Sequence, residues 1–227
     1  MYFNSEGLTV HYQGGRMVQN LAGWFNAGGP FMWVILGVLA AACAVALERV
    51  IFYYLLCGGN GLQIVSRLAQ ALDKDNVEEA KRVVARGGAP LIVLLRTAVE
   101  RYGANIPFSD IQEGIEEAAI QQVPRLPQRL NYLSLFANIA TLLGLLGTIS
   151  GLQLSFSSLA AVEAAKKATM LASGISQAMI TTAFGLIVAV PCMVMYTFLS
   201  NKQARLTKDL DEATVRFLNF LRKKRPQ

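Results

Sequence analysis

The chain is poor in the residues from which soluble chemistry is built. His11 is its only histidine, which excludes a histidine-based metal cluster within one chain. Cys43, Cys57 and Cys192 share no metal-ligand spacing, and each falls in or beside an apolar run where a thiol serves as a small apolar filler. Charge is scarce, at 16% of 227 residues. The glycine run Gly58-Gly59-Asn60-Gly61 lacks both the Lys-Ser/Thr ending and the preceding strand of a phosphate-binding loop. The stretch before Pro30 has neither a basic n-region nor a small-residue cleavage site, so no signal peptide is expected. No nucleophile–base pair is legible. The expectation is a protein without catalytic residues, resident metal or cofactor, and not an enzyme.

What the chain has instead is apolar sequence: 53% hydrophobic residues and a mean hydropathy of +0.39. The excess is concentrated in three long runs, which predicts an all-α integral membrane protein with three transmembrane helices extended by a cytoplasmic helical domain. The expected segments are 1–30 (outer or interfacial), 31–56 (first span), 57–130 (cytoplasmic helices), 131–155 (second span), 156–172 (outer loop), 173–199 (third span) and 200–227 (basic tail). The net charge of +6 invites a nucleic-acid reading, but its distribution argues otherwise. Nine of the 21 Lys and Arg lie between Gly58 and Leu130, and eight follow Ser200. That asymmetry is the positive-inside bias, placing the N-terminus outside and the C-terminus in the cytoplasm, with no nucleic-acid partner.

Before the first span, Met17–Asn26 is mildly amphipathic, with Leu21, Trp24 and Phe25 suited to a lipid surface. Glu48 and Arg49 interrupt the end of that span. As neighbours on a helix they point about a third of a turn apart and form no helical pair with each other. Either they snorkel to the inner interface, or they contact partner chains or neighbouring helices. In the polar stretch that follows, Glu78-Arg82 has the favourable i,i+4 spacing, Gly87-Gly88 ends a helix and Pro90 opens another. Ser109, with Gln112 three residues on, reads as an N-cap, and Asp110, Glu113, Glu116 and Glu117 suit the helix N-terminus it begins. Pro124 and Pro127 predict a break before the second span, and Pro191 a kink in the third. The tail carries an apolar stripe of Leu206, Leu210, Ala213, Phe217 and Phe220, then Arg222-Lys223-Lys224-Arg225, which either meets anionic lipid or is simply solvated.

The second and third spans carry rows of small and hydroxyl residues at helical spacing. One row is Thr141, Gly144, Thr148, Gly151 and Ser155; the other is Gly174, Ala178, Thr182, Gly185, Ala189 and Cys192. Such rows serve close helix packing or a polar path, and spacing alone leaves both open.

The segment Leu142-Leu143-Gly144-Leu145-Leu146-Gly147-Thr148-Ile149-Ser150-Gly151 resembles the second-span signature of the MotA/TolQ/ExbB proton-channel family. Ile175-Ser176-Gln177-Ala178-Met179-Ile180-Thr181-Thr182-Ala183-Phe184-Gly185-Leu186, followed by Ala189-Val190-Pro191, resembles the third. Ala27-Gly28-Gly29-Pro30-Phe31-Met32-Trp33, Leu47-Glu48-Arg49 and Ile115-Glu116-Glu117-Ala118 fit in register, and three spans suit the TolQ/ExbB branch better than the four-span MotA branch. The resemblance implies a channel-forming stator subunit of the bacterial inner membrane: a homopentamer surrounding the membrane helices of a single-span TolR-, ExbD- or MotB-like partner. That partner brings an aspartate into the pore, and flow of protons (or Na+) through it drives work on the envelope. On this reading Thr148 and Thr182 line the pore, with Thr181, Ser155 and Gln177 as further lining residues. Gly144, Gly147, Gly151, Ala178, Gly185, Ala189 and Pro191 serve helix packing, and Glu48 and Arg49 an interface. A hydroxyl can donate to a carboxylate and accept from its protonated form, so threonines suit both states of such an aspartate. A non-conducting membrane scaffold for a partner is the alternative. Two departures mark this chain: Gln177 stands where the family pattern usually has glutamate, and Thr141 where it commonly has proline. No acid remains within the second or third span, so this chain cannot supply its own titratable pore carboxylate: either the partner aspartate alone carries the proton, or the ion preference and coupling differ.

Overall fold

The computed structural model describes Gly23, Phe25 and residues 28–57, 61–85, 87–159 and 163–224. The amphipathic segment expected over Met17–Asn26 lies outside them, apart from Gly23 and Phe25. Among the described residues there are seven named α-helices and no strand. Helix α1 is Phe31–Ile51, prolonged by a π-helical turn over Phe52–Leu56. Then come α2 (Gly61–Asp73), α3 (Val77–Ala85), α4 (Pro90–Gly103) and α5 (Phe108–Gln122), the last followed by a 3-10 turn at Val123–Arg125. Helices α6 (Asn131–Ser158) and α7 (Ala164–Lys224) complete the chain. Three of these, α1 with its π turn, α6 and α7, are long and apolar enough to cross a membrane, as the sequence predicts.

Helix α7 runs for 61 residues and reaches beyond the apolar run at both ends. Ala164, Ala165, Lys166, Lys167 and Ala168 are good helix formers, so the polar stretch expected as loop winds from Ala164 onward. Pro191 lies inside α7 on its exposed side, and the helix continues through it.

The chain forms two compact units, Met1–Cys43 with Leu133–Val194, and Ala44–Tyr132 with Met195–Gln227. The second is a small helical domain. Leu68 and Leu72 of α2, Leu94, Leu95 and Ala98 of α4, and Ile111 of α5 are buried there together with Leu210, Ala213, Phe217 and Leu221 of α7. The tail stripe thus belongs to a core. Its lower edge turns to Leu221 rather than Phe220, which is only partly buried. Arg96 closes α3, its guanidinium donating to the carbonyls of Val84 (2.7 and 2.9 Å), Ala85 and Gly87 (both 3.2 Å). Two local expectations are corrected. Glu78 pairs with Lys81 at 2.9 Å, the i+3 neighbour, not with Arg82. Ser109 is not the N-cap of α5: Pro107, held in extended geometry, precedes the helix, and the Ser109 hydroxyl donates to Asp110 instead (2.8 Å).

The end of α1 is fastened to the short connection that leads into α6. That connection is non-α-helical, as two prolines three apart require, and turns through Arg129 at a left-handed φ of 63°. The Tyr53 hydroxyl, fully buried, donates to the carbonyl of Leu126 at 2.7 Å. Arg129 Nη1 reaches both carboxylate oxygens of Glu48, at 2.9 and 3.0 Å. Arg49 is 4% exposed, its guanidinium 5.2 Å from the Phe52 ring centroid and 3.4 Å from Glu48. Snorkelling is therefore the wrong account of Arg49, which is covered by protein. The expectation that Glu48 and Arg49 stay apart also fails, because their long side chains bend back to meet. Removing the hydroxyl in Tyr53→Phe strands the Leu126 carbonyl in a buried site. It should destabilise the full chain by about 1–3 kcal/mol, read as a lower melting temperature in detergent.

Candidate functional site

The unit built from Met1–Cys43 and Leu133–Val194 contains both signature segments. Ala137, Ala140, Gly144, Gly147, Gly151 and Ser155 form the buried face of α6. On the part of α7 within this unit the buried residues are Gly174, Ala178, Thr181, Gly185, Val188, Ala189 and Cys192. The two faces meet with backbones nearly touching. A Cβ built at Gly144 would lie 3.3 Å from the Cα of Thr182 and 3.4 Å from the Cα of Gly185. One built at Gly185 would lie 2.7 Å from the carbonyl oxygen of Ala140. Only a residue without a side chain permits that separation, and the close approach is sealed by a bond between helices: the Thr182 hydroxyl donates to the Gly144 carbonyl at 3.0 Å.

This geometry divides the rows read from the sequence. Gly144, Gly147, Gly151, Ala178, Gly185 and Ala189 lie between the helices, whereas Pro191 lies on the exposed side of α7. Ser155 is 3% exposed with its hydroxyl on the Gly151 carbonyl, and Thr181 is 1% exposed with its hydroxyl on the carbonyls of Gly28 and Gln177, both at 2.9 Å. Both were expected to face a lumen; within one chain they face backbone. Thr182 and Gln177 are half-buried. Thr148 is also half-buried and, among the described residues, bonds only its own helix, donating to the Leu145 carbonyl at 2.6 Å.

Beside the buried face of α6 runs a second row at spacings of four and three: Ser134, Asn138, Thr141 and, one turn beyond Leu145, Thr148. Thr141 and Asn138 are exposed, Ser134 and Thr148 half-buried. Sequence reading took in the two threonines but passed over Ser134 and Asn138. The signal that could have found them is the same periodicity, extended toward the N-terminus of the span. Among the described residues no group of three or more His, Cys, Asp or Glu is placed to hold a metal ion. Just past the first span, burial pushes the Cys57 thiol above its ordinary value, so it stays protonated at neutral pH.

A model of the MotA/TolQ/ExbB proton channel family matches residues 90–212, more than half of the chain and both rows. The chain belongs to the MotA/TolQ/ExbB proton channel family. Among relatives in this family, an ExbB homolog of Methanothermobacter thermautotrophicus is 26% identical over 178 residues, covering 78% of this chain and 62% of that protein. The Tol-Pal system protein TolQ of Haemophilus influenzae is 34% identical over 100 residues, or 41% of this chain and 42% of TolQ. The biopolymer transport protein ExbB of Neisseria meningitidis is 26% identical over 221 residues, spanning 88% of this chain and 98% of that protein. The chain thus spans between about two fifths and three fifths of the first two of these relatives. With the family and the three apolar helices in hand, the chain is a multi-pass membrane protein of the TolQ/ExbB-like branch.

The backbone contact makes its own prediction. Gly185→Ala forces a methyl against the Ala140 carbonyl and should cost about 1–3 kcal/mol. Gly37→Ala on α1, where a Cβ meets nothing within 4 Å, should be neutral or stabilising by up to about 1 kcal/mol. Paired thermal melts of the two variants check the contrast.

Proposed function

We propose that this chain is the channel-forming subunit of a TolQ/ExbB-type motor of the bacterial inner membrane. In this reading it is a homopentamer that surrounds the membrane helices of a single-span TolR/ExbD/MotB-like partner, with its N-terminus periplasmic and its C-terminus cytoplasmic. The ion gradient is spent on mechanical work in the envelope. One observation carries the reading. After α6 and α7 have buried their small residues against each other, a row of polar groups, Ser134, Asn138, Thr141 and Thr148, is left outside that contact on a membrane helix. Polar side chains at membrane depth are retained where they meet a polar occupant. A partner aspartate is such an occupant. A bare carboxylate there costs about 2.5–3.5 kcal/mol on insertion scales. Thr148, by turning its proton away from the Leu145 carbonyl of its own helix, can donate to it when charged and accept from it when protonated; Thr182, whose proton is held on the Gly144 carbonyl, can accept from the protonated form. Protonation then changes the aspartate's affinity for this row, which is the step that couples ion flow to movement of one component against the other.

Neither α6 nor the third span, 173–199, contains an acid, and Gln177 cannot titrate, so on this reading the chain supplies solvation and the partner supplies the proton-carrying group. The same lack of acid favours the second reading, a non-conducting scaffold that clusters its partner. Proton flux into liposomes holding both chains separates them. The motor reading expects flux that disappears when the partner's aspartate becomes asparagine. It also expects Thr148→Val, which removes a hydrogen bond to a charged group worth about 1.5–3 kcal/mol, to lower flux at least about tenfold with assembly intact. Flux no greater than that of protein-free liposomes would leave the scaffold, and flux unaffected by either change would overturn the assignment of the aspartate and Thr148 to the ion path.

A further inference from the structure

We propose that Thr181 and Gln177 are positioning residues, which latch the turn at the head of α1 onto α7 and do not belong to the ion path. Three residues of one α7 face, Gln177, Thr181 and Phe184, stand at spacings of four and three, and they meet Gly29, Gly28 and Phe25 respectively. The Thr181 hydroxyl is 2.9 Å from the Gly28 carbonyl and equally far from its own i−4 carbonyl at Gln177. A helical threonine ordinarily satisfies itself on the i−4 carbonyl alone. Here its single proton is shared with a carbonyl that precedes the first turn of α1, in a site 1% exposed. A backbone carbonyl at that depth needs a donor, and Thr181 provides one.

Gln177 makes the second contact. Gly29 sits at φ +76°, and a Cβ at that position would run into the Gln177 side-chain amide nitrogen. The carboxamide therefore lies over the bare backbone of residue 29, a fit that requires glycine for its conformation and for its lack of a side chain. Phe25 adds an edge-on ring contact with Phe184 at 6.5 Å between centroids. In the first turn of α1, Met32 is 1% exposed, so the start of the helix that follows is held as closely as the turn itself.

These contacts leave Thr181 nothing to offer an ion. Its proton is engaged by two carbonyls of its own chain, and no water-accessible face remains. Gln177 has no proton to give up at any ordinary pH. Thr148, half-buried and bonded only within α6, differs on both points. The adjacent threonines of α7 thus divide their work: Thr182 bonds α6, and Thr181 holds the head of α1.

The test is hydrogen exchange on the full chain in nanodiscs without any partner, so its outcome does not depend on the motor reading. The amides of Met32 and Trp33, which donate to Gly29 and Pro30, report the turn. Thr181→Val keeps the shape and removes the donor. It should speed exchange of peptides covering 28–36 about fivefold or more while leaving peptides covering 61–103 within twofold of the original chain. Thr181→Ser should restore the slow rate, and Gln177→Ala should speed the same 28–36 peptides even if Thr181→Val fails to fold. Thr148→Val should leave them unchanged. Unaltered exchange at 28–36 in both Thr181→Val and Gln177→Ala would overturn the latch. So would a rise spread equally over 61–103, which marks general loosening, or failure of Thr181→Ser to restore the rate.

Discussion

Everything distinctive in the membrane unit depends on the near-contact of two backbones, α6 at Gly144 and α7 at Gly185. Lipid chains are as apolar as leucine, so burying large side chains between membrane helices gains little over leaving them in lipid. Small residues gain more, because they admit close packing and direct bonds such as that from the Thr182 hydroxyl to the Gly144 carbonyl. The large side chains are correspondingly displaced: Leu142, Leu145, Ile149, Leu186, Ile187 and Val190 are exposed on the single chain. This arrangement also determines which polar residues remain outside the contact. Had α6 turned by one position, Thr148 would be buried and Gly147 would face outward.

Helix α1 is tied at both ends, by different chemistry suited to different surroundings. At its head the ties are a shared hydroxyl proton and a carboxamide laid over glycine backbone. At its far end they are an ion pair from Glu48 to Arg129, a buried guanidinium and the Tyr53 hydroxyl on the Leu126 carbonyl. Both sets of ties end on chain that is not regular helix, where free backbone carbonyls are available to be bonded. The π-helical turn at Phe52–Leu56 begins immediately before Tyr53 and forms part of the same fastening.

Much of this was legible in the sequence. Three apolar runs gave three long helices, the paired prolines gave a break before α6, and the rows of small residues marked the contact faces. The limits of that reading are equally physical. Helical spacing identifies a stripe but not its phase to within one residue, so Thr141 and Thr148 were grouped with Gly144 and Gly151, although they flank the contact that those glycines make. The partners of Thr181 and Glu48 lie 153 and 81 residues away and leave no local periodicity. Hydropathy marks where a membrane ends but not where a helix ends, which is why α7 outruns its apolar run in both directions. Arg49 is covered by a ring three residues on and by the chain near residue 125, a burial that only the folded chain creates.

The arrangement on which the proposed function rests is that α6 offers a polar occupant the row through Asn138 and Thr148, while Thr181 stays sealed inside the chain. It is tested most directly by thiol labelling of the assembled complex in membranes. Cys43, Cys57 and Cys192 would first be replaced, and a single cysteine then placed at 138, 148 or 181. A small water-soluble thiol reagent should modify the Asn138→Cys and Thr148→Cys chains, and a partner's helices should slow that reaction. The Thr181→Cys chain should remain unmodified throughout. Rapid modification at 181 with none at 138 and 148 would overturn this arrangement, because the face packed inside the chain would then be the one that meets water.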